Sequence, residues 1–163
     1  MIDYDVRVCQ TNVDAPLYGL CDDDSKSPAF VSLNPEGDEW LCEVINTQGK
    51  LCRWTAIDNC IEILRDDGSM ESRCDGMITY EDNIIFVELK KVRKSWIPDG
   101  VEQLKISVQL FFDHNQIEQY RKKQAILSNR SHPSFHFNQV EAMQRFKNET
   151  GVRLLIVGTI HIK

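Results

Sequence analysis

Residues 73–90, RCDGMITYEDNIIFVELK, have the clearest structural pattern in the chain. Apolar and β-branched residues dominate its two halves, and the acidic, turn-forming run EDN separates them. This pattern predicts two strands, at 73–80 and 84–90, joined by a tight turn into a β-hairpin. The second strand is apolar enough to be a central strand of a sheet that is covered on both faces.

The position of the turn decides which side chains meet across the hairpin. A two-residue turn at 82–83 places Asp75 opposite Lys90 and makes Asp75 a diagonal neighbour of Glu88, at roughly 7–8 Å between backbones. All three charged side chains then lie on one face of the sheet, because side chains alternate along a strand. A three-residue loop would instead move Asp75 to the other face.

Asp75, Glu88 and Lys90 are the residue types that metal-assisted phosphodiester hydrolysis requires. Carboxylate oxygens that leave several waters in place suit Mg²⁺ or Mn²⁺. A bound divalent ion lowers the pKa of a water ligand, and a nearby lysine can orient that water and offset developing negative charge. A Glu-x-Lys pair alone is usually a solvated surface pair, so the interpretation depends on Asp75 lying in register.

With the predicted hairpin and the helix after it, Asp75…Glu88-x-Lys90 resembles the active-site motif of the PD-(D/E)xK nuclease superfamily, over about residues 56–130. The resemblance implies an α/β fold, with a restriction-endonuclease-like core whose mixed central β-sheet is flanked by helices. It implies that Asp75, Glu88 and the backbone carbonyl of Leu89 bind the metal ion and that Lys90 positions water. The implied activity is metal-dependent hydrolysis of DNA or RNA.

The same resemblance suggests further residues of the site. Family members often carry another acid upstream of the motif, and Glu71, Glu62 and Asp58 all qualify, with no basis in the sequence for choosing among them. Some branches place a glutamine on the helix that follows the second strand, and Gln103 fits that position. These four residues are expected near the metal ion only through the resemblance.

Charge is distributed unevenly along the chain. Residues 1–87 contain 6 basic and 18 acidic residues, whereas residues 88–163 contain 13 basic and 7 acidic ones. Such asymmetry favours binding of a polyanion by one face, although charge also varies along chains without function. The basic cluster directly after the motif is expected to contact nucleic acid, with DNA preferred; a charged loop with a tryptophan that covers the core is the alternative interpretation. The residues of this cluster are Lys91, Arg93, Lys94 and Trp96.

Apolar periodicity predicts the other elements. Residues 38–54 are typical of a β-hairpin, although a helix over 38–44 also fits, and residues 56–64 fit a helix or a strand equally well. Residues 96–100 lead into a predicted helix of about 14 residues, with apolar positions at i, i+3, i+7 and i+10: Val101, Leu104, Val108 and Phe111. The remaining predicted elements are a strand at 125–127, a helix at 139–149 with Val140, Met143 and Phe146 facing inward, and a strand at 152–162.

The length of 163 residues predicts a single domain, residues 1–163. Within it we expect residues 56–163 to form the nuclease-like core. Residues 1–37 are the least patterned part of the chain, and they contain a polar, turn-rich run at 22–28. We therefore expect residues 1–37 to be an N-terminal extension that is partly mobile.

The cellular location is predicted from what the N-terminus lacks. It shows no basic start followed by an apolar run, so we expect no secretory signal and a cytoplasmic protein. No stretch approaches the ~18 continuous apolar residues of a membrane span. The six cysteines form no Cys-x-x-Cys pair, and a reducing cytosol argues against disulfides, so most of them are expected to be small buried apolar residues.

The acidic N-terminal half supports a rival function. Its charge favours a protein partner, which includes a second copy of the chain. The rival is a non-catalytic protein with the same nuclease-like fold that acts as an interaction partner in a defence or repair complex. The sequence leaves open both the interface of such a partner and the substrate of a nuclease.

Overall fold

In a computed structural model, residues 2–23, 25–114, 117–132 and 138–163 are described. They form ten strands and two α-helices, with short 3₁₀ helices at Arg7–Cys9 and Ile117–Gln119. The strands are β1 (Gln10–Val13), β2 (Leu17–Cys21), β3 (Phe30–Ser32), β4 (Cys42–Ile45), β5 (Cys52–Ala56), β6 (Gly76–Tyr80), β7 (Asn83–Leu89), β8 (Lys122–Ser128), β9 (Arg153–Ile156) and β10 (Thr159–His161). The helices are α1 (Trp96–His114) and α2 (Asn138–Thr150).

The strands form two mixed sheets. The first sheet has six strands in the order β1-β5-β6-β7-β8-β9, and the second has four in the order β10-β4-β2-β3. In the first sheet β5, β6 and β7 are antiparallel, whereas β7, β8 and β9 are parallel, with α1 and α2 in the crossover connections. The predicted α/β class with a mixed sheet is therefore confirmed.

Strand β7 lies near the centre of the first sheet, and all seven of its residues are buried. One face packs against α1 and α2, through Ile84 and Phe86. The other face packs against the second sheet, through Ile85, Val87 and Leu89. The expectation of helices on both faces is thus wrong for this second face, because a four-stranded sheet covers it.

Helix α1 follows the predicted apolar spacing, with Leu104, Val108 and Phe111 buried on one side. It begins at Trp96, and Pro98 occupies its first turn, where a missing N–H costs nothing. Gly100 lets the helix approach β8, since a Cβ atom there would lie 2.4 Å from a methyl carbon of Leu127. The helix is therefore seated closely over the carboxyl ends of the central strands.

The hairpin of β6 and β7 has a different register from the predicted one. The two-residue turn consists of Glu81 and Asp82, one position earlier than expected, and Glu81 adopts a left-handed φ of 49° there. Tyr80 then faces Asn83. A turn displaced by one residue moves the pairing by two, so every side chain keeps its face. Asp75, just before β6, consequently lies opposite Glu88 rather than opposite Lys90.

Two predicted β segments turn out to be divided between the sheets. The predicted hairpin at 38–54 does not form, because its two strands, β4 and β5, do not pair with each other. Strand β4 pairs with β2 and β10 in the second sheet. Strand β5 pairs with β1 and β6 in the first sheet. Residues 152–162 contain β9 in the first sheet and β10 in the second. The chain crosses between the layers at Val157 and Gly158. The alternative helix at 38–44 does not form.

Two further predictions about the core were incomplete. Ala56 ends β5, and residues 57–64 form neither a helix nor a regular strand. Ile57, Ile61 and Ile63 are nevertheless buried in the core beneath the helices. In α2, Phe146 is buried and Met143 is partly buried, but Val140 is exposed, contrary to expectation. Residues 1–37 contribute strands β1, β2 and β3 to the two sheets.

A disulfide joins Cys9 and Cys60, which the sequence argument did not expect. It fastens the N-terminal segment to the loop that precedes β6. The other four cysteines are free and buried, as expected: Cys21, Cys42, Cys52 and Cys74. A cytoplasmic location stays a prediction, and a disulfide, typical of oxidising compartments, counts against it. No helix in the described ranges has the length and apolar character that crossing a bilayer would require.

Candidate functional site

Asp75 and Glu88 form a buried carboxylate pair at the end of the β6–β7 hairpin. They retain 6% and 2% of their surface exposed. The backbone N–H of Leu89 donates to Oδ2 of Asp75 at 2.7 Å, and the backbone N–H of Asp75 donates to Oε2 of Glu88 at 3.1 Å. Each carboxylate is therefore held by the backbone of the opposite strand, which fixes both groups on the face of the sheet that carries α1.

Burial of two acids together is costly unless a cation compensates them. Burial raises the pKa of Glu88 to about 7, although the Lys90 ammonium group opposes the rise. Burial also raises the pKa of Asp75 well above its usual range, and the negative charge of Glu88 adds to the effect. Both carboxyl groups thus hold their protons more tightly than free acids do, and a bound cation would favour their charged forms.

Lys90 is the cation closest to this pair. Its Nζ lies 3.0 Å from Oε1 of Glu88 and donates a 2.6 Å hydrogen bond to Oε1 of Gln103. The amide of Gln103 in turn donates to the backbone carbonyl of Arg73, at 3.3 Å. Glu88, Lys90 and Gln103 therefore lie together, with helix α1 orienting the lysine.

The three candidate upstream acids have different surroundings. Asp58 forms an ion pair with Arg73 at 3.0 Å. The negative charge of Asp58 also lies near enough to raise the pKa of both Asp75 and Glu88. Glu71 pairs with Arg65 at 3.1 Å. Glu62 is exposed. Of the three, only Asp58 is electrostatically coupled to the carboxylate pair.

Sequence reasoning missed three residues that shape the site. Arg73 is 8% exposed and anchors Asp58, and Ser107 accepts a 2.7 Å hydrogen bond from the backbone N–H of Cys74. Ser107 follows Gln103 by four residues, so helical spacing could have revealed it. Asp22 raises the pKa of Asp75 by its charge, but it lies in a distant segment, and no local signal points to it.

Gly76 allows the sheet to close tightly beside Asp75. A Cβ atom at this position would lie 2.5 Å from ring carbons of Trp54 and 2.6 Å from the backbone oxygen of Thr55. Because the backbone oxygen cannot rotate away, strand β5 would have to move. We expect Gly76→Ala to lower the free energy of unfolding by about 1–3 kcal/mol, as measured by urea denaturation. A variant as stable as wild type would contradict this close packing.

The residues of the basic cluster after the motif differ in exposure. Arg93 and Lys94 are exposed and Lys91 is partly exposed, in the loop between β7 and α1. Trp96 is 5% exposed and packs in the core beneath α1. The expectation that Trp96 contacts nucleic acid with the basic residues is therefore wrong. Its ring is covered, as in the alternative interpretation of a tryptophan that covers the core.

Comparisons with known proteins add nothing to this picture, since no family model, curated protein or solved structure matches the chain. Within the described residues, no group of three or more histidine, cysteine, aspartate or glutamate side chains is arranged to hold a metal ion. The oxygen donors that could contact a cation are the carboxylates of Asp75 and Glu88 and the backbone carbonyl of Leu89. This donor set is small and hard, which suits an ion that keeps several waters.

Proposed function

We propose that the chain is a nuclease that hydrolyses phosphodiester bonds in DNA or RNA with the help of Mg²⁺ or Mn²⁺, and that it belongs to the PD-(D/E)xK superfamily with a restriction-endonuclease-like core. The observation that carries the proposal is the buried pair of Asp75 and Glu88, with Lys90 ion-paired to Glu88 beside it. The order β5-β6-β7-α1-β8 agrees with the superfamily's hairpin followed by a helix.

Each side chain has a role that its position supports. Asp75, Glu88 and the carbonyl of Leu89 would hold the ion, which supplies a water of lowered pKa and neutralises the phosphate. The ammonium group of Lys90 points into the same site, held by Gln103 at 2.6 Å. A lysine held in this way orients the attacking water and stabilises the negative charge that develops on the phosphate.

Nucleic acid would reach the site across the loop between β7 and α1. Arg93 and Lys94 are exposed there, and Lys91 lies one residue beyond Lys90. Such cations neutralise backbone phosphates without reading sequence. The buried Trp96 is not part of this contact, so the proposal includes no stacking on a base.

Cleavage assays and calorimetry test this function together. Plasmid DNA, linear DNA and RNA are incubated with Mg²⁺, Mn²⁺ or a chelator, and binding of Mn²⁺ is measured by titration calorimetry. We expect metal-dependent cleavage that Lys90→Ala lowers by about 10²–10³-fold without abolishing Mn²⁺ binding. Lys26→Ala, at an exposed lysine, is the matched control. Cleavage that persists in chelator, or that proceeds at the wild-type rate in Lys90→Ala, would refute the site.

One observation favours the second candidate, the non-catalytic interaction protein. Each carboxylate of the pair already accepts a backbone hydrogen bond, and Glu88 also pairs with Lys90. A site whose carboxylates are already hydrogen-bonded and ion-paired within the protein can remain folded after catalysis is lost. Absence of both cleavage and Mn²⁺ binding would favour this candidate, with a protein partner or a homodimer as its setting.

A further inference from the structure

A cleft of about 860 Å³ opens where the second sheet stops covering the first. Strands β7, β8 and β9, with Tyr80 at the end of β6, form one wall, and β10, the edge of the second sheet, forms the other. Asp75, Glu88 and Lys90 do not line it. The volume is within the range of small-molecule sites, and the cleft is separate from the carboxylate pair.

Strand register fixes which side chains face this cleft. Gln124 pairs with Arg153, and Ile126 pairs with Leu155. Paired residues of neighbouring strands point to the same side of a sheet. Because Ile126 belongs to the core between the sheets, Arg153 and Leu155 also point towards the second sheet, and so does Lys122, two residues before Gln124.

The crossing between the sheets forms the closed end of the cleft. Val157 still donates to Leu127 of the first sheet, at 3.1 Å, whereas Gly158 already accepts from Glu43 of the second, at 3.0 Å. Strands β9 and β10 diverge from this point. Arg153 lies at the far end of β9 and Lys163 lies just beyond the far end of β10, so both are at the open mouth.

Three cations surround this mouth. Lys122, Arg153 and Lys163 all line the cleft, and none of them has an ion-pair partner among the described residues. Burial raises the pKa of the Tyr80 hydroxyl, and the backbone N–H of Lys163, which lies against it, opposes the rise. Because Tyr80 precedes the β6–β7 turn, this contact brings Lys163 to the same end of the sheet as Lys122.

Acidic residues do not neutralise these cations. No aspartate or glutamate is among the described residues that line the cleft. The two acids of the adjoining β6–β7 turn are already engaged, Glu81 with Lys50 at 3.3 Å and Asp82 with Arg121 at 3.6 Å. The mouth therefore carries a net positive charge that favours an anion.

The interior of the cleft is aliphatic. Ile126, Leu155, Val157 and Ile160 line it behind the cations. The rings of Trp96 and Tyr80 also line it but are 5% and 7% exposed, whereas the ring of His161 is exposed. An aliphatic interior behind a cationic mouth is complementary to an apolar chain with a charged head.

We infer that this cleft binds an amphiphilic anion, with an alkyl or acyl chain against Ile126, Leu155 and Ile160 and a phosphate or carboxylate head between Lys122, Arg153 and Lys163. This binding site is independent of the proposed nuclease site, because the two share no residue. It adds a small-molecule ligand to a chain whose other candidate partner is a nucleic acid.

Titration calorimetry with butyl, hexyl and octyl phosphate tests the inference, with inorganic phosphate and AMP as comparison ligands. Burial of each added CH₂ group should raise the affinity about three- to fourfold. The exposed double variant Lys122→Glu/Arg153→Glu should weaken octyl phosphate at least about tenfold. Arg7→Glu/Lys26→Glu, also at exposed positions, makes the same change of net charge and should leave binding intact.

Each other outcome overturns a defined part of the inference. Affinity that does not change with alkyl chain length would show that the cleft binds only the phosphate group. The inferred contact between the alkyl chain and the aliphatic lining would then be wrong. AMP that binds more tightly than octyl phosphate would identify a nucleotide site instead. Octyl phosphate binding that survives Lys122→Glu/Arg153→Glu would show that the head group lies elsewhere. Hexanoate and octanoate in place of the phosphates decide which head group is preferred.

Discussion

Asp75→Asn is expected to lower the rate of metal-dependent phosphodiester cleavage by at least about 10³-fold and, at the same time, to stabilise the metal-free protein. The rate falls because the amide is a poor ligand for Mg²⁺ or Mn²⁺. The stability rises because the amide oxygen can still accept the N–H of Leu89, while one of two buried like charges disappears. We expect a gain of about 1 kcal/mol.

Two measurements on one variant make this prediction specific. Single-turnover cleavage with Mg²⁺ gives the rate, and urea denaturation in a chelator gives the free energy of unfolding. Asp14→Asn is the matched control, since Asp14 is exposed, and it should change neither quantity. An Asp75→Asn protein that cleaves at the wild-type rate would remove Asp75 from the site. One that is destabilised would show that the carboxylate pair is not strained.

The same pair makes stability depend on pH. Burial raises the pKa of Glu88 from 4.5 to about 7 in the folded protein. A raised pKa means that the folded state holds the proton more tightly, so this contribution to stability is complete below pH 4.5 and is lost as pH rises through 7. We expect the melting temperature in a chelator to fall over this window more steeply for wild type than for Glu88→Gln. Parallel profiles would contradict the prediction.

The second large effect concerns the disulfide. Cys9 and Cys60 are separated by 51 residues, and opening a loop of that length releases conformational entropy in the unfolded chain. We expect Cys9→Ser with Cys60→Ser to lower the free energy of unfolding by about 4 kcal/mol. The affected region includes the N-terminal segment and the loop that carries Asp58, which Arg73 holds at the edge of the site.

A reductant provides the control for this prediction. Reduction should move the urea midpoint of the wild-type protein to that of the double variant and leave the variant itself unchanged. Coincident midpoints for oxidised protein and variant would show that the bond contributes nothing. A reductant effect on the variant would point instead to the four buried free cysteines.

The sequence predicted most of what depends on local pattern. The β6–β7 hairpin, helix α1 and strand β8 have strong periodicity, and they bring Glu88, Lys90 and Gln103 together. The register was wrong by one turn position because Glu81 takes a left-handed φ of 49°, which no local signal favours in a glutamate. The faces were still correct, since a displacement of two in pairing preserves alternation.

What the sequence could not predict are long-range pairings. The second sheet is built from short strands that lie far apart in the chain, and β10 pairs with β4. A single apolar run at 152–162 gave no sign that its halves belong to different layers. Likewise the contacts of Asp22 and the pairing of Cys9 with Cys60 depend on tertiary structure, because the sequence near an aspartate or a cysteine does not indicate which distant residue it will contact.

The partnership of β10 with β4 has a consequence for biosynthesis. Strand β4 is made early, but its outer edge is completed only when Thr159–His161 has left the ribosome. For the roughly 6 to 23 seconds that translation of the intervening chain takes, this edge presents unpaired backbone groups to other nascent chains. A chaperone that shields extended segments would therefore be needed most before the last strand emerges, and synthesis at high polysome density would favour aggregation through β4.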